Sequence, residues 1–405
     1  MMNSTCNGQD SPHASPRYIP LSYSPADSQS SALRLVLALN PDWGHGDSKI
    51  EFVRFTDGIT NTLLKIINRK PGLTEEQIDD EAVLMRAYGN HTEIIIDRER
   101  ESRSHALLAR RGLAPALLAR FKNGLLYRFI QGQVATPNDL IQAPVWRGVA
   151  RRLAEWHAVL PIGDVDETSS AQQNGNAQSL DNPESETKTE QEIGGMAIIE
   201  SKHDGPNMWR VLQKWILALP TTTEKERSRR IDLQRELIRT AAEMDDGKGI
   251  GQEGLIFAHC DLLSANVIIQ PKTSKTNGSA EDGSETVHFI DYEYATPSPA
   301  AFDIANHFAE WAGYDCDYGR VPTQSVRREF LAEYVKSYTH HLGGDFDEAA
   351  QNKIADDLFN DIDRFRGIPG FYWYSEPLTS ETSSFANEKL QQGCMGFNSS
   401  HNLTH

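Results

Sequence analysis

The chain has 405 residues, of which 39% are hydrophobic, so it is long enough for two lobes with ordinary apolar cores. Its formal net charge of −17, from 57 acidic and 40 basic residues, argues against nucleic acid or an anionic lipid surface as the primary partner. The four cysteines lie far apart without a CxxC pair, which argues against a zinc site. No stretch approaches the ~18 apolar residues of a membrane span, and the polar N-terminus lacks the centre of a signal peptide. We therefore expect a cytoplasmic protein without membrane insertion.

The N-terminal third predicts a tail followed by a small lobe. Residues 1–30 are rich in Ser, Pro and Asn, and we expect a disordered tail because such a stretch buries too little apolar surface to offset its ordering entropy. From Glu51, "EFVRFTDGITNTLLKIINR" alternates polar and apolar residues around a glycine-containing turn, and "AVLMRAYG" follows a polar loop as a third strand. Then "DRERESRSHALLARRGLAPALLARF" has helical spacing up to a Gly/Pro break, and "GLLYRFIQGQ" has a strand pattern. Residues 31–135 are thus predicted to form a lobe with an antiparallel sheet and one helix.

The rest of the chain predicts a larger, mainly helical lobe over residues 136–373. Its clearest amphipathic helix is "APVWRGVARRLAEWHAVL", and residues 207–219 predict another. Two polar runs, at residues 162–205 and 271–286, are expected to be disordered insertions in this lobe. The second separates two β-like runs, "NVIIQ" and "VHFIDYEY". The predicted fold class is therefore α+β.

A candidate catalytic loop lies in "LIFAHCDLLSANVIIQ", where His259, Asp261 and Asn266 stand between two apolar runs, and Asp291 follows in "FIDYEY". The pattern H-x-D-x-x-x-x-N with a later Asp has the form of the catalytic loop of protein-kinase-type phosphoryl transferases. Asp261 would orient an acceptor hydroxyl and take its proton. Asn266 and Asp291 would bind Mg²⁺, which prefers carboxylate and amide oxygens beside phosphates. A lone loop Asp is more often a turn or cap residue, but the flanking strands favour the catalytic interpretation.

The small lobe offers candidate ATP contacts. Gly58, Thr60 and Asn61 lie at the turn of the first hairpin, where backbone amides and small polar groups could cover triphosphate oxygens. Arg86 lies on the third strand and is expected to hold the phosphates, with Glu101 on the following helix as its ion-pair partner. Taken singly, the glycine is more often a simple turn residue, and each charged residue is more often a surface charge.

An ordered set of motifs resembles the choline/ethanolamine kinase family over most of residues 52–371. The set comprises "DGITN", "VLMRAYG", "GLAPALLARFKNGLLYRFIQG", "HCDLLSANVI", "FIDYEY" and "AAFDIANHFAEWAGYD". This resemblance implies a bilobal protein-kinase-like fold and Mg-ATP-dependent phosphorylation of the hydroxyl of a small amino alcohol, the first step of phospholipid head-group synthesis. It also implies that Asp261 is the catalytic base and that Asn266 and Asp291 are the magnesium ligands.

Two motifs resemble the ethanolamine kinases of that family: the leucine pair in "HCDLLSANVI" and the Ala-Gly pair in "EWAGYD". Ethanolamine is thus the expected acceptor, and phosphatidylethanolamine synthesis the expected pathway, with choline as the alternative. A primary ammonium donates hydrogen bonds to carboxylates, whereas a trimethylammonium depends on aromatic faces. Glu310, on a helix predicted over residues 303–311, and Tyr294 are candidate ammonium contacts. Trp373 matches a tryptophan that the resemblance places beside them.

Three points depart from the family or stay open. Asp303 is expected either to act directly or to have a structural role, capping its helix or holding the catalytic loop. Cys260 stands where the family usually has Asn, so a local hydrogen bond is expected to be missing. From Tyr374 the chain becomes polar and loses helical periodicity, so residues 374–405 are predicted to be a divergent, disordered tail and part of the ammonium pocket to be absent.

Two other functions stay open on the sequence. One is a catalytically impaired kinase-like protein that has lost its substrate pocket with the divergent C-terminus. The other is an enzyme of the same fold that phosphorylates aminoglycosides or another amine-bearing alcohol. The resemblance also allows a homodimer, which no residue of the sequence decides.

Overall fold

The computed structural model describes residues 16–45, 49–55, 61–89, 98–163, 195–199, 201–203, 205–271 and 283–377, with the backbone alone at 99 and 100. Within these ranges, the residues of Met1–Thr92 and Pro115–Gln131 form one compact unit. Those of Glu93–Ala114 and Gly132–His405 form a second compact unit. No described helix is both long enough and apolar enough to cross a membrane.

The first unit is built on a six-stranded sheet with the strand order β1-β5-β6-β4-β3-β2. The strands are β1 (Tyr18–Ile19), β2 (Lys49–Phe55), β3 (Asn61–Arg69), β4 (Val83–Tyr88), β5 (Leu117–Phe121) and β6 (Gly124–Arg128). All neighbours are antiparallel except β1 and β5, which are parallel. The three strands predicted from residue 51 onwards are present as β2, β3 and β4, and so is the later strand, as β6. The prediction did not include β5.

Two helices complete the first unit. Helix α1 (Ser28–Leu39) packs on the sheet through buried Ala32, Leu35 and Val36. Helix α2 (Glu75–Glu81) begins at a capping box, in which Thr74 and Gln77 exchange side-chain-to-backbone hydrogen bonds. The polar sequence of this segment predicts a loop, and the helix corrects that prediction.

The prediction of a disordered tail over residues 1–30 is wrong from Tyr18 onwards. Strand β1 pairs with β5, and Ile19 and Tyr23 are only 3% and 4% exposed. These apolar side chains share a core with α1 and so supply the burial that composition alone did not suggest. Residues 1–15 lie outside the described part of the chain.

The second unit contains most of the helices and two small sheets. Its helices are α3 (Arg98–Arg110), α4 (Pro137–Leu140), α5 (Ala143–Val159), α6 (Met208–Ala218), α7 (Glu224–Met244), α8 (Ala300–Glu310), α9 (Gln324–Leu342), α10 (Glu348–Phe365) and α11 (Ile368–Tyr374). Strands β7 (Gln133–Val134), β9 (Val267–Ile269) and β10 (Val287–Phe289) form one sheet, and β8 (Ile256–Ala258) pairs with β11 (Thr296–Ser298). The helices predicted over residues 143–160 and 207–219 are confirmed as α5 and α6.

Helix α3 belongs to the second unit, where Leu107 and Leu108 are buried in the main core. The lobe boundary predicted at residue 135 places this helix in the smaller lobe instead. Its apolar face therefore packs with residues that are distant in sequence, a choice that periodicity does not reveal. The domain ranges 31–135 and 136–373 stay a prediction.

The first predicted insertion is partly folded. Of residues 162–205, the described residues 195–199 and 201–203 make contacts with the helices: the backbone N–H of Ile199 donates a 3.0 Å hydrogen bond to Gln213 Oε1. His203 Nε2 lies 2.9 Å from Asp245 Oδ1 in a largely buried pair. Disorder is thus a wrong prediction for this segment, while residues 164–194 lie outside the described part of the chain.

The end of the second insertion and the start of the C-terminal tail also make ordered contacts. In the insertion 271–286, the backbone N–H of Glu285 donates to Pro144 O at 2.9 Å, and residues 272–282 lie outside the described ranges. Tyr374, the predicted start of the disordered tail, ends α11, and the following Ser375 is fully buried. Residues 378–405 lie outside the described ranges, so the tail prediction is corrected only for residues 374–377.

Candidate active site

The candidate catalytic loop connects the two small sheets of the second unit. It leaves the buried strand β8, runs through Asp261 and a 3₁₀ turn at Ser264–Asn266, and enters β9. In the β9–β10 pair, Val267 stands opposite Phe289, and the backbone N–H of Ile290 donates to Asn266 O at 3.0 Å. Asn266 and Asp291 therefore lie at the same end of this hairpin, as the sequence spacing predicts.

His259 holds the start of the loop as a neutral imidazole. Its Nε2 lies 3.0 Å from the carbonyl oxygen of Ile290, which can only accept, and its Nδ1 receives the backbone N–H of Asp261 at 3.3 Å. This pairing places the proton on Nε2. Burial lowers the pKa of His259, which keeps the ring neutral. The histidine thus ties Asp261 to the end of β10.

Asp303, at the start of α8, fixes the backbone of the loop. Its carboxylate accepts hydrogen bonds from the N–H of His259 at 3.0 Å and of Cys260 at 2.7 Å, and from His157 Nε2 at 2.9 Å. Burial alone would raise the pKa of Asp303, but the hydrogen bonds from His157 and from the backbone N–H of His259 hold it below its usual value. Since Pro299 stands at the helix N-cap, Asp303 holds the loop rather than capping the helix.

Two further residues of α8 hold the same loop, and the sequence analysis missed both. Asn306 Nδ2 donates to Cys260 O at 3.0 Å, and His307 Nδ1 donates to Leu262 O at 2.8 Å. With Asp303 they occupy positions i, i+3 and i+4, which face one side of a helix. Polar residues at that spacing in the otherwise apolar "AAFDIANHFAE" are the signal that could have found them.

The backbone of Cys260 is hydrogen-bonded at both its N–H and its C=O. Its φ of 65° lies in the left-handed region, which non-glycine residues seldom adopt. The Sγ atom lies 3.5 Å from Ser298 Oγ. The contacts of α8 with the backbone therefore hold this conformation at a residue other than glycine.

The loop places the predicted base and metal ligands close together. Asn266 Nδ2 donates to Asp261, to its backbone oxygen at 2.7 Å and its Oδ2 at 3.1 Å. Burial raises the pKa of Asp261 well above its usual value, and the negative charge of Asp291 raises it further. The carboxylates of Glu310, Glu293 and Glu376 add to this effect. A strongly negative field thus surrounds Asp261.

The donor set fits a hard divalent cation. Both side-chain hydrogen bonds of Asn266 in the described structure come from Nδ2, which leaves its carboxamide oxygen for another partner. A cation near Asp291 would also offset the repulsion between Asp291 and Asp261. Within the described ranges no three His, Cys, Asp or Glu side chains are grouped closely enough to hold a metal. Such a cation would therefore also need amide, water and phosphate oxygens as ligands, and Mg²⁺ usually has such a mixed set.

The predicted ammonium contacts lie among aromatic rings and carboxylates of the second unit. The ring of Tyr294 meets that of Trp373 edge to face, with centroids 5.0 Å apart, and that of Trp215 at 6.1 Å. Glu310 and Trp373 line one cavity of about 210 Å³. Tyr294 Oη donates a 2.7 Å hydrogen bond to Glu376 Oε1, a residue that the sequence analysis assigned to the divergent tail.

Of the predicted ATP contacts, the structure describes three. Asn61 begins β3, and Arg86 is a buried residue of β4, both in the first unit. Glu101 is a buried residue of α3 in the second unit, where Arg98 Nη1 lies 2.9 Å from its Oε2. The i,i+3 spacing of Arg98 and Glu101 is a signal that the sequence analysis did not use.

The same Nη1 of Arg98 lies 3.3 Å from Glu293 Oε2, so one guanidinium joins two buried carboxylates. The predicted ion pair between Arg86 and Glu101 stays a prediction. Gly58 and Thr60 lie outside the described residues.

Comparisons with known proteins agree with the motifs. The family model for choline/ethanolamine kinase matches residues 52–389. Ethanolamine kinase 1 of Mus musculus is 29% identical over 358 residues, which cover 85% of this chain and 80% of that protein. A solved ethanolamine kinase from Plasmodium vivax superposes with a TM-score of 0.62 at 19% identity, over 91% of this chain and 89% of that one. A solved choline kinase from Cryptosporidium parvum superposes with a TM-score of 0.56 at 17% identity, over 91% of this chain and 98% of that one. These structures confirm the predicted α+β, protein-kinase-like fold.

Proposed function

Because the chain belongs to the choline/ethanolamine kinase family, we propose that it transfers the γ-phosphoryl group of ATP to the hydroxyl of ethanolamine, giving phosphoethanolamine. The observation that carries this proposal is the hydrogen bond from Asn266 Nδ2 to Asp261 Oδ2 in a loop that the charges of Asp291 and Glu310 also reach. Membership of a kinase family implies a nucleotide co-substrate, and ATP is the specific proposal. The acceptor is suggested by relatives such as the mouse protein named ethanolamine kinase 1.

Asp261 acts as the base in this proposal. Its carboxylate orients the acceptor hydroxyl and takes the hydroxyl proton as the oxygen attacks the γ-phosphorus. Burial, followed by the charge of Asp291, raises the pKa of Asp261, which makes its carboxylate a stronger base. The hydrogen bond from Asn266 Nδ2 to Asp261 Oδ2 keeps the carboxylate in one orientation. When bound, Mg²⁺ on the oxygens of Asn266 and Asp291 would neutralise phosphate charge.

The acceptor's ammonium would lie beside Tyr294, Glu310 and Trp373. A primary ammonium can donate its N–H groups to Glu310, which lines the cavity together with Trp373. The rings of Tyr294 and Trp373 are the observation that favours choline as a second acceptor, because aromatic faces attract a quaternary ammonium. The carboxylates of Glu310, Glu293 and Glu376, whose charges reach Asp261, can accept hydrogen bonds from a primary ammonium but not from a quaternary one, which favours ethanolamine over choline.

The nucleotide contacts proposed for the first unit are Gly58, Thr60, Asn61 and Arg86, with Glu101 as the partner of Arg86. We also expect the enzyme to act on small molecules in the cytoplasm. Gel filtration of the purified chain decides between a monomer and a homodimer.

A substrate panel tests the proposal. Purified full-length chain is incubated with Mg-ATP and, separately, ethanolamine, choline and an aminoglycoside, and acceptor-dependent ADP release is measured. We expect the highest kcat/KM for ethanolamine and a lower one for choline. ADP release that depends on the aminoglycoside alone would support the antibiotic-type enzyme. Nucleotide binding without turnover of any acceptor would support the catalytically impaired protein and contradict the proposal.

A further inference from the structure

Glu376 is a buried carboxylate just beyond the end of α11. It is 8% exposed, and its backbone N–H donates to Trp373 O, which continues the helical turn. Its Oε1 accepts the 2.7 Å hydrogen bond from Tyr294 Oη. Within the described chain, no Lys, Arg or His forms an ion pair with it. Burying a carboxylate in this way is costly unless a cation or several hydrogen bonds offset the lost hydration.

Glu376 is distinct among the carboxylates whose charge reaches Asp261. Glu293 is paired with Arg98 at 3.3 Å, and Asp291 stands beside Asn266 on the side proposed for the metal. Glu310 ends α8 and is half-exposed in the cavity. Glu376 instead lies on the aromatic side and accepts a hydrogen bond from Tyr294.

We propose that Glu376 accepts hydrogen bonds from the ammonium group of the acceptor and thereby sets the preference for ammonium groups that carry N–H over quaternary ones. This inference rests on the amino-alcohol kinase function proposed above. Tyr294 Oη engages one carboxylate oxygen of Glu376, which leaves the lone pairs of Oε2 for an N–H donor. A primary ammonium has three such donors and a trimethylammonium has none. The methyl groups also hold the positive charge farther from the carboxylate.

The aromatic neighbours of Glu376 suit an occupant of positive charge. Burial raises the pKa of Glu376, although the hydrogen bond from Tyr294 acts in the opposite direction. A bound cation would favour the ionised carboxylate. The neighbouring rings of Tyr294 and Trp373, 5.0 Å apart, would contact the carbon atoms of the acceptor. The site therefore combines a charged hydrogen-bond acceptor with apolar walls, which is the combination that a short aminoalkyl chain requires.

The test uses acceptors that differ only in N-methylation: ethanolamine, N-methylethanolamine, N,N-dimethylethanolamine and choline. Their N–H donors decrease stepwise to none. We expect kcat/KM of the parent chain to fall along this series. Glu376→Gln should lower kcat/KM for ethanolamine by roughly tenfold to a hundredfold, mainly through KM, because hydrogen bonds to charged groups contribute this much. The loss should shrink along the series and be smallest for choline. KM for ATP should change little.

Two variants serve as controls. Glu329→Gln removes an exposed carboxylate of α9, and all four acceptors should keep the parent's kcat/KM. Glu376→Asp keeps the charge but withdraws it by one methylene, and it should lose part of the preference for ethanolamine. If Glu376→Gln fails to fold, the same comparison of four acceptors is made with Glu376→Asp. The ratio between acceptors separates recognition from a packing defect, which would lower all four values by a common factor.

The outcomes separate this inference from the function on which it rests. A parent chain that phosphorylates ethanolamine, with Glu376 variants that change all four acceptors by one common factor, overturns the role of Glu376 alone. A folded Glu376→Gln that keeps the parent's kcat/KM for ethanolamine also overturns it. A parent chain that phosphorylates no amino alcohol overturns both the function and this inference.

Discussion

The carboxylate of Asp303 accepts a 2.7 Å hydrogen bond from the backbone N–H of Cys260, whose φ of 65° lies in the left-handed region. Such a conformation is costly for a residue with a Cβ and persists only where the surroundings hold it. The hydrogen bond from Cys260 to Asp303 of α8 stabilises this conformation. The residue that follows Cys260 is the proposed base, Asp261. The orientation of the base therefore depends on a helix residue more than 40 positions away in sequence.

Replacement of Asp303 should impair both folding and turnover. In Asp303→Asn one carboxylate oxygen becomes an NH₂ group, so the backbone N–H of either His259, bound at Oδ2, or Cys260, bound at Oδ1, loses its acceptor. We expect the free energy of unfolding to fall by ~2 kcal/mol or more, since a buried donor is left unsatisfied, and kcat to fall with it. Urea denaturation and steady-state kinetics measure the two effects. Asp317→Asn is the control, because Asp317 caps Gly319 in an exposed turn. Equal stability of parent and Asp303→Asn would show that the loop is held by other contacts.

Asp261→Asn should separate catalysis from nucleotide binding. The amide cannot take the acceptor's proton, so we expect kcat to fall by ~10²-fold or more. Asn266 and Asp291 are unchanged, so the affinity for a non-hydrolysable Mg-ATP analogue should stay close to the parent's. Isothermal titration and turnover assays on the same preparation measure both quantities. Near-normal turnover would refute the assignment of Asp261 as the base.

Asp291→Ala should give the opposite pattern. It removes a proposed metal ligand, so the magnesium-dependent part of nucleotide binding should be lost. The measurement is a titration of the ATP analogue with and without Mg²⁺. In the parent, Mg²⁺ should strengthen binding, and in Asp291→Ala this gain should largely disappear. An equal gain in both proteins would contradict the role of Asp291.

Arg98 should be important for stability because it joins Glu101 and Glu293, whose side chains are 3% and 5% exposed. Arg98→Met would leave both buried carboxylates without this cation, and we expect the free energy of unfolding to fall by ~3–5 kcal/mol. Arg235→Met removes an exposed i,i+3 pair with Asp232 and should cost less than ~1 kcal/mol. Denaturant titrations of both variants give the comparison. Similar small losses in the two would show that the Arg98 pairs contribute little.

Acidification should destabilise the chain through His307. Burial lowers the pKa of His307 to about 4, although the hydrogen bond that Nδ1 donates to Leu262 O acts in the opposite direction. Nε2 accepts a hydrogen bond from Trp311 Nε1, which requires the neutral ring. The unfolded state takes up its proton near pH 6.5, the folded state only near pH 4. The contribution of neutral His307 to the free energy of unfolding is therefore fully present above about pH 6.5. It declines as the pH falls toward 4, by up to ~1.4 kcal/mol per pH unit.

His307→Asn tests this dependence, since an Asn side chain can still donate to Leu262 O but does not titrate. The slope of unfolding free energy against pH between 6.5 and 4.5 should be shallower in the variant than in the parent. Parallel curves for parent and His307→Asn would contradict the buried, neutral state of this histidine.

The proximity of the candidate site residues could be predicted from the sequence where these residues are close along the chain. Asp261 and Asn266 belong to one loop, and Asp291 follows at the distance of a hairpin, so spacing alone placed them together. The capping box at Thr74 and Gln77 is also a local signal, and it could have predicted α2 where a loop was expected. Local signals of this kind need no knowledge of tertiary packing.

The parts that were missed depend on contacts between distant residues. The buried position of Glu376 depends on its hydrogen bond with Tyr294, 82 positions away, and Glu376 lies in a stretch without periodicity. Strand β1 has two residues, too few for an alternation pattern, and it exists because β5 offers an edge for pairing. Asn306 and His307 carry an i+3, i+4 pattern, but their function as supports of the loop appears only once the loop is folded over α8.

The most direct measurement is phosphorus NMR of the full-length chain with Mg-ATP and ethanolamine, recorded beside Asp261→Asn. We expect a phosphoethanolamine signal that grows as ATP is consumed in the parent sample, and little or none with Asp261→Asn. Absence of that signal from the parent, while the protein is folded and binds the nucleotide, would contradict the proposed phosphorylation of ethanolamine.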